Sequence, residues 1–181
     1  MARVPPPRGV AAIVFVLACN GPQNTVSSKA HGSGTIAGSF DGRPFDAIAA
    51  AYRIGSPDDP VRTVVVELFD AVVECADVTA PGWDTQLDAV QVLEIKLVGT
   101  TPDDYPVTGA PSPGQGEADA AYTLTATSGT PSETSASDGS VSLDGIADQG
   151  AAQGSFDLTF PQGDTLAGSF DAAWCADGHE P

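Results

Sequence analysis

Basic side chains are scarce in this chain: seven Lys and Arg stand against 24 Asp and Glu, a formal net charge of −17 over 181 residues. A surface of that sign repels phosphate backbones, which excludes nucleic acid as a partner and favours cationic partners or a salty medium. Histidine is nearly absent. His31 sits in a stretch without periodicity and His179 in the tail after the last strand, two residues from the end. A Ser–His–Asp or Cys–His mechanism needs an imidazole held beside its nucleophile, and neither histidine is placed for that. Aromatics make up only 7% of the chain, while Gly and Pro number 20 and 15. That composition suits many short strands with frequent turns and argues against long helices. The longest apolar run, Val10 to Ala18, falls well short of the roughly 20 residues that a membrane-spanning helix needs.

What is present is period-two alternation. Phe156, Leu158 and Phe160, then Leu166, Phe170 and Trp174, fall on even positions either side of Pro161-Gln162-Gly163. Ser155, Asp157, Thr159, Ser169 and Asp171 fall on odd ones. This predicts two antiparallel strands with one buried face. Ala-Gly-Ser-Phe-Asp at 37–41 recurs at 167–171, and its last four residues recur at 154–157. Three copies suggest one structural solution reused, with Gly at a close backbone approach, Phe inward and Asp leading out.

Further strands are expected at 34–41, closed by an Asp41-Gly42 turn, and within 43–53. Others are expected at 61–69, apolar on both faces apart from Arg62 and Glu67, and at 90–98, 105–108, 118–127 and 140–147. In the last of these the apolar parity shifts from Val141 and Leu143 to Ile146, which a bulge at Asp144-Gly145 would produce. Ser56 to Pro60 and Thr101 to Asp104 read as turns, and Ser128 to Ser137 as a loop without core residues. The fold class is therefore all-β: an antiparallel sandwich or partly closed barrel of about eight to nine strands with one disulfide, in a single domain.

Residues 1–19 carry a different signal. Arg3 and Arg8 precede the Val10–Ala18 run, which ends in Val16-Leu17-Ala18-Cys19-Asn20. This resembles the lipobox signal peptide of bacterial lipoproteins, substrates of signal peptidase II. The resemblance covers about 20 residues. It implies cleavage after Ala18 and acylation of Cys19, hence a membrane partner reached through acyl chains. Asn20 resembles the residue found in lipoproteins sent on to an outer membrane. The expected organisation is a signal peptide at 1–18, a lipid-anchored tether at 19–33, the β domain at 34–176 and a tail at 177–181. Two or more acyl chains suffice for stable anchoring, at about 0.8 kcal/mol per buried CH₂.

With Cys19 taken by lipid, Cys75 and Cys175 remain. In an oxidising envelope the simplest expectation is a disulfide, which closes a loop worth on the order of 4.7 kcal/mol by loop entropy. The rivals are two reduced buried thiols, or a metal site using Cys175 and His179, which lacks further ligands at zinc spacing. No phosphate-cradling loop occurs and no cofactor is indicated. Asp58-Asp59 and Asp103-Asp104 read as turn and surface groups. Asp138, Asp144 and Asp148 miss the Ca²⁺-loop spacings. Trp83, beside Gly82, is the candidate exposed aromatic for a sugar or lipid contact. The expected function is a non-enzymatic, lipid-anchored envelope protein acting in binding or as a structural subunit, its protein or glycan partner unidentified. A small carboxylate- or Ser-dependent hydrolase and a hollow, lipocalin-like carrier are the alternatives. Mass spectrometry of the mature protein should find Cys19 at its N-terminus with diacylglycerol on the sulfur. An unmodified N-terminus at or near that residue removes the anchor.

Overall fold

The computed structural model describes residues 32–55, 61–75, 78, 87–110, 112–125, 131–147 and 149–175. The leader, Cys19 and nearly all of the expected tether lie outside them, but Gly32 already bridges to Ala50 and the first strand begins at Ser33. The strands are β1 (Ser33–Phe40), β2 (Arg43–Pro44), β3 (Ala49–Ile54), β4 (Thr63–Phe69), β5 (Gln91–Val98), β6 (Asp103–Val107), β7 (Ala118–Leu124), β8 (Ser132–Ser135), β9 (Asp138–Ile146), β10 (Ala151–Thr159) and β11 (Thr165–Trp174).

Eight of these close a barrel, in the order β3-β4-β5-β7-β6-β9-β10-β11 and back to β3, while β1, β2 and β8 lie outside the ring. Pairing is antiparallel except at two short seams, where wholly antiparallel pairing was expected. There β11 meets β3 through Ala173↔Ala51 and Trp174↔Tyr52, and β6 meets β7 through Val107↔Ala118 alone. At each seam one strand changes partner along its length. β11 pairs with β1 from Thr165 to Asp171 before it reaches β3, and β7 leaves β6 for β8 from Ala121 to Leu124.

The alternation read in the last two strands holds. Phe156, Leu158, Phe160, Leu166, Phe170 and Ala172 are all at most 5% exposed, and Trp174 packs edge-on to Tyr52 at 5.2 Å between ring centroids. They meet Tyr52, Val64, Val66, Leu68, Leu93, Ile95 and Leu97 from the opposite wall in one apolar core. Side chains fill the interior, as the width of an eight-stranded barrel permits. The β1–β2 hairpin closes one end. Asp41 and Gly42 take φ of 50° and 70°, as a two-residue hairpin turn requires. Phe40 stacks on Tyr122 at 4.0 Å and meets Phe160 edge-on at 5.0 Å. Such pairs contribute about 0.5–1.5 kcal/mol each beyond their buried area.

The repeated Gly-Ser-Phe-Asp has a structural cause. In the β10–β11 pair Gly154 faces Phe170, Ser155 faces Ser169 and Phe156 faces Gly168, so each glycine lies beside the other strand's ring. A Cβ at Gly154 would stand 2.6 Å from Phe170 Cζ and 2.2 Å from the Ser142 carbonyl oxygen; one at Gly168 would stand 3.0 Å from Phe156 Cζ and 1.9 Å from the Thr35 oxygen. The bulge is also present. Gln153 pairs Gly145 and Gly154 pairs Leu143, leaving Asp144 without a partner across the strands.

Several expectations need correction. The stretch 43–53 is two strands, β2 and β3, with Phe45–Ile48 between them. Asp103 and Asp104 open β6 rather than belonging to a turn. Within the expected Ser128–Ser137 loop, Ser132–Ser135 form β8 and Ala136 is 1% exposed. The stretch of β7 edge left free beyond the β6 seam supplies a partner that local residue preference does not reveal. Gly154→Ala should lower stability by about 2 kcal/mol or more, because a close-packed sheet must part to admit the methyl. Phe170→Leu in the same chain should not restore it, since the Ser142 oxygen stays in place. Urea unfolding midpoints measure both; an unchanged midpoint in the single variant rejects the close-approach account.

Candidate functional site

Outward positions on this barrel divide by charge. Strands β1, β6, β9, β10 and β11 carry no Lys or Arg, and the described cations are Arg43, Arg53, Arg62 and Lys96. On the first half hydroxyls line up across neighbouring strands at Thr35, Ser169, Ser155 and Ser142, with Thr35 Oγ1 2.8 Å from Ser169 Oγ.

On the other half two carboxylates converge. Glu67 of β4 lies directly opposite Glu94 of β5, an arrangement that is unfavourable for like charges. Arg53 of β3 resolves it, with Nη2 3.4 Å from Glu67 Oε1 and 3.7 Å from Glu94 Oε2. Burial pushes the Glu94 carboxyl above its ordinary pKa; Arg53 and Lys96 oppose the shift, while Glu133 and Asp119 add to it. Two neighbouring carboxyls in unlike environments are the raw material of acid–base chemistry. Glu67, however, is only 1% exposed, so no substrate atom can approach it. The three residues pair charges within the sheet.

An open cleft of about 240 Å³ lies at the barrel rim, beside the single-pair seam of β6 and β7. Val98 ends β5, and Gly99 (φ 148°) turns the chain beneath Tyr105; a Cβ there would stand 2.9 Å from the phenol oxygen. Tyr105 donates to the Thr101 carbonyl at 2.6 Å. Its phenol is pushed up by burial, against the Thr101 bond and with Asp103, so it stays a neutral donor. The Asp104 N–H donates to Asp103 Oδ1 at 2.9 Å, and Pro106 has no N–H, so neither leaves an open donor on β6. Gly116 N–H donates to the Val98 oxygen at 2.8 Å and fixes the opposite wall. Exposed Thr101, Asp103, Asp104 and Gln115 line the opening, and no Lys or Arg is among the described residues that line it. The cleft therefore offers acceptors and negative charge, suited to ammonium and hydroxyl groups and hostile to anions. Asp103 and Asp104 follow one another on a strand and leave from opposite faces, so they do not converge on one bond.

Of the residues singled out in the sequence, Cys75 and Cys175 are joined as a disulfide with Cα atoms 5.3 Å apart. Cys19, His31, Asp58, Asp59, Trp83, Asp148 and His179 lie outside the described residues. Asp138 accepts the Gly139 N–H at 2.8 Å, and Asp144 is the exposed bulge residue. The Arg53–Glu67–Glu94 set was not anticipated. Glu67 and Glu94 do sit as lone acids within apolar strands, which was the available signal. No protein-family model, no characterised protein and no solved structure matches this chain.

The raised Glu94 pKa fixes the sign of a pH effect. The folded chain holds this proton more tightly than the unfolded one, so stability falls as pH rises through the interval above the ordinary carboxyl value of 4.5. Glu94→Gln should flatten that fall and be at least as stable as the parent at pH 7. Thermal melts from pH 4 to 8 test it, and a variant less stable at neutrality than at acid pH by the parent's full margin refutes the assignment.

Proposed function

We propose that this chain is a lipid-anchored protein of the bacterial envelope whose barrel works by binding, with the rim cleft as its contact for a small cationic or hydroxyl-rich ligand group. The anchor follows from the resemblance of Val16–Asn20 to a lipobox. The observation that carries the binding reading is the contrast between interior and rim. Inward side chains such as Tyr52, Val66, Leu93 and Leu158 are 0% exposed, leaving no water-sized space beside them, whereas polar side chains line an open cleft at the rim. A carrier of lipocalin type expects an empty barrel, and here side chains occupy that volume. A carboxylate hydrolase expects an accessible pair, and Glu67 is sealed.

Titration calorimetry on the full acylated chain in detergent tests the reading, with glucosamine as the cationic probe and glucose 6-phosphate as the anionic one. Glucosamine should bind in preference, and Asp103→Asn with Asp104→Asn should weaken it about tenfold, the scale of one lost charge-assisted hydrogen bond. Equal affinity for both probes overturns the cleft assignment. Turnover of a chromogenic ester or glycoside that disappears in Glu94→Gln overturns binding in favour of hydrolysis.

A further inference from the structure

Aspartate is followed directly by glycine at three places among the described residues: Asp41-Gly42, Asp138-Gly139 and Asp144-Gly145. Such a pair is chemically fragile, because the glycine nitrogen, unscreened by a Cβ, can close a five-membered ring onto the aspartate carboxyl. Ring closure rotates the backbone between the two residues, so it needs a segment free to turn. Two of the three pairs are held. Gly139 is paired on both sides, with Val107 of β6 and Leu158 of β10, and a Cβ there would stand 2.2 Å from the Asp157 oxygen. Gly145 is paired with Gln153 of β10. A residue within a ladder turns only if the sheet parts first. Asp41-Gly42 is placed otherwise. The β1–β2 ladder stops at Phe40↔Arg43, so both turn residues lie beyond it, and both are exposed. A Cβ at Gly42 would meet nothing within 4 Å. Asp41 itself has φ of 50°, a left-handed conformation that aspartate tolerates better than most L-residues but at a steric cost.

We propose that Asp41 is a site of spontaneous isomerisation to isoaspartate, and that the product loosens the hairpin closing this end of the barrel. The inference rests on neither the rim cleft nor the anchor. Its one co-reactant is water. The Gly42 nitrogen attacks Asp41 Cγ and gives up its proton; one carboxyl oxygen leaves as water, carrying that proton and a second from solvent. Water then adds to the cyclic imide at the Asp41 main-chain carbonyl carbon, and the bond from that carbon to the Gly42 nitrogen breaks. The nitrogen takes one proton of the added water, and the new carboxylate releases the other. Nothing is oxidised or reduced. The chain now runs through Cβ and Cγ of Asp41 and is one backbone atom longer. A two-residue turn sets its register by two positive φ angles and has no place for that atom. Phe40, the preceding residue, stacks on Tyr122 at 4.0 Å and meets Phe160 at 5.0 Å, while the Asp41 N–H donates to Asp164 Oδ2 at 3.1 Å. Lengthening the turn pulls on all three contacts. The ring of eight strands contains neither β1 nor β2, so the closure loosens and the ring stays.

The test is peptide mapping of the full chain after weeks in neutral buffer, with electron-transfer fragmentation to tell isoaspartate from aspartate at equal mass. Isoaspartate is expected at Asp41 at least about tenfold above its level at Asp138 or Asp144, the factor that one ladder hydrogen bond to be broken first imposes. Asp41→Asn closes the same ring with loss of ammonia and should speed accumulation at that position. Asp41→Glu, whose ring would be six-membered, should abolish it. The isomerised fraction, separated by chromatography, should then show faster amide hydrogen exchange over 33–44 with β4 and β5 unchanged. Equal isoaspartate at the three sites, or none at Asp41, overturns the site. Hairpin exchange that matches the parent's in the isomerised fraction overturns the coupling to barrel closure. Loss of protection in β4 and β5 as well overturns it too, because the hairpin then holds the ring together.

Discussion

Closure of this barrel passes through three residue pairs, two between β3 and β11 and one between β6 and β7. Every other junction in the ring is a longer antiparallel ladder. The arrangement is two four-stranded halves, β3-β4-β5-β7 and β6-β9-β10-β11, in which the first strand of each half meets the last strand of the other in parallel. Strands that meet so briefly leave the rest of their edges open, and an open edge recruits other chains. The accessory strands answer that constraint. β1 occupies β11 from Thr165 to Asp171, and β8 occupies β7 from Ala121 to Leu124. The hydrogen bonds at the seams are too few to hold the halves together, so the apolar interior and the Phe40–Tyr122–Phe160 contacts carry that burden.

What was legible in the sequence is what depends on neighbours along the chain. Parity gave the inward set of β10 and β11, a parity shift located the Asp144 bulge, and Asp41-Gly42 announced a hairpin. Connections between distant segments were not legible in that way. The parallel contact of Ala173 with Ala51 depends on where two halves come to rest, and nothing in either local sequence encodes it. β8 is the clearest case. Ser132-Glu133-Thr134-Ser135 has no apolar alternation, and it is a strand because the end of β7 was left without a partner. The cleft was illegible for the same reason, since Thr101, Asp103 and Gln115 meet across a seam.

The shortage of cations acquires a structural meaning from their placement. The Glu67–Glu94 pairing puts two acids side by side, and the Arg53 guanidinium reaches both. A buried carboxylate left without its cation is a severe fault, whereas exposed acids on a hydrated face cost little. The half formed by β1, β6, β9, β10 and β11 can therefore dispense with Lys and Arg altogether, because its acids, Asp104, Asp144, Asp157 and Asp171 among them, are exposed. The resulting field is one-sided and draws positive groups toward that half, where β6 also forms a wall of the cleft.

Both places where this chain offers something beyond a packed barrel arise where strand pairing is interrupted. The cleft lies where β6 and β7 separate after a single pair, and the Asp41-Gly42 turn lies where the β1–β2 ladder stops. A sealed interior makes this distribution necessary. With the barrel volume filled by Tyr52, Leu68, Leu93, Leu158 and their neighbours, specificity has to be built from connections, and connections hold a shape only when fixed at several points. The structure fixes them by local hydrogen bonds: those of Tyr105 and Gly116 at the rim, and that of Asp41 to Asp164 at the turn. Hydrogen bonds at the rim exchange readily with water and ligand, so that site can adapt to an occupant without leaving the fold.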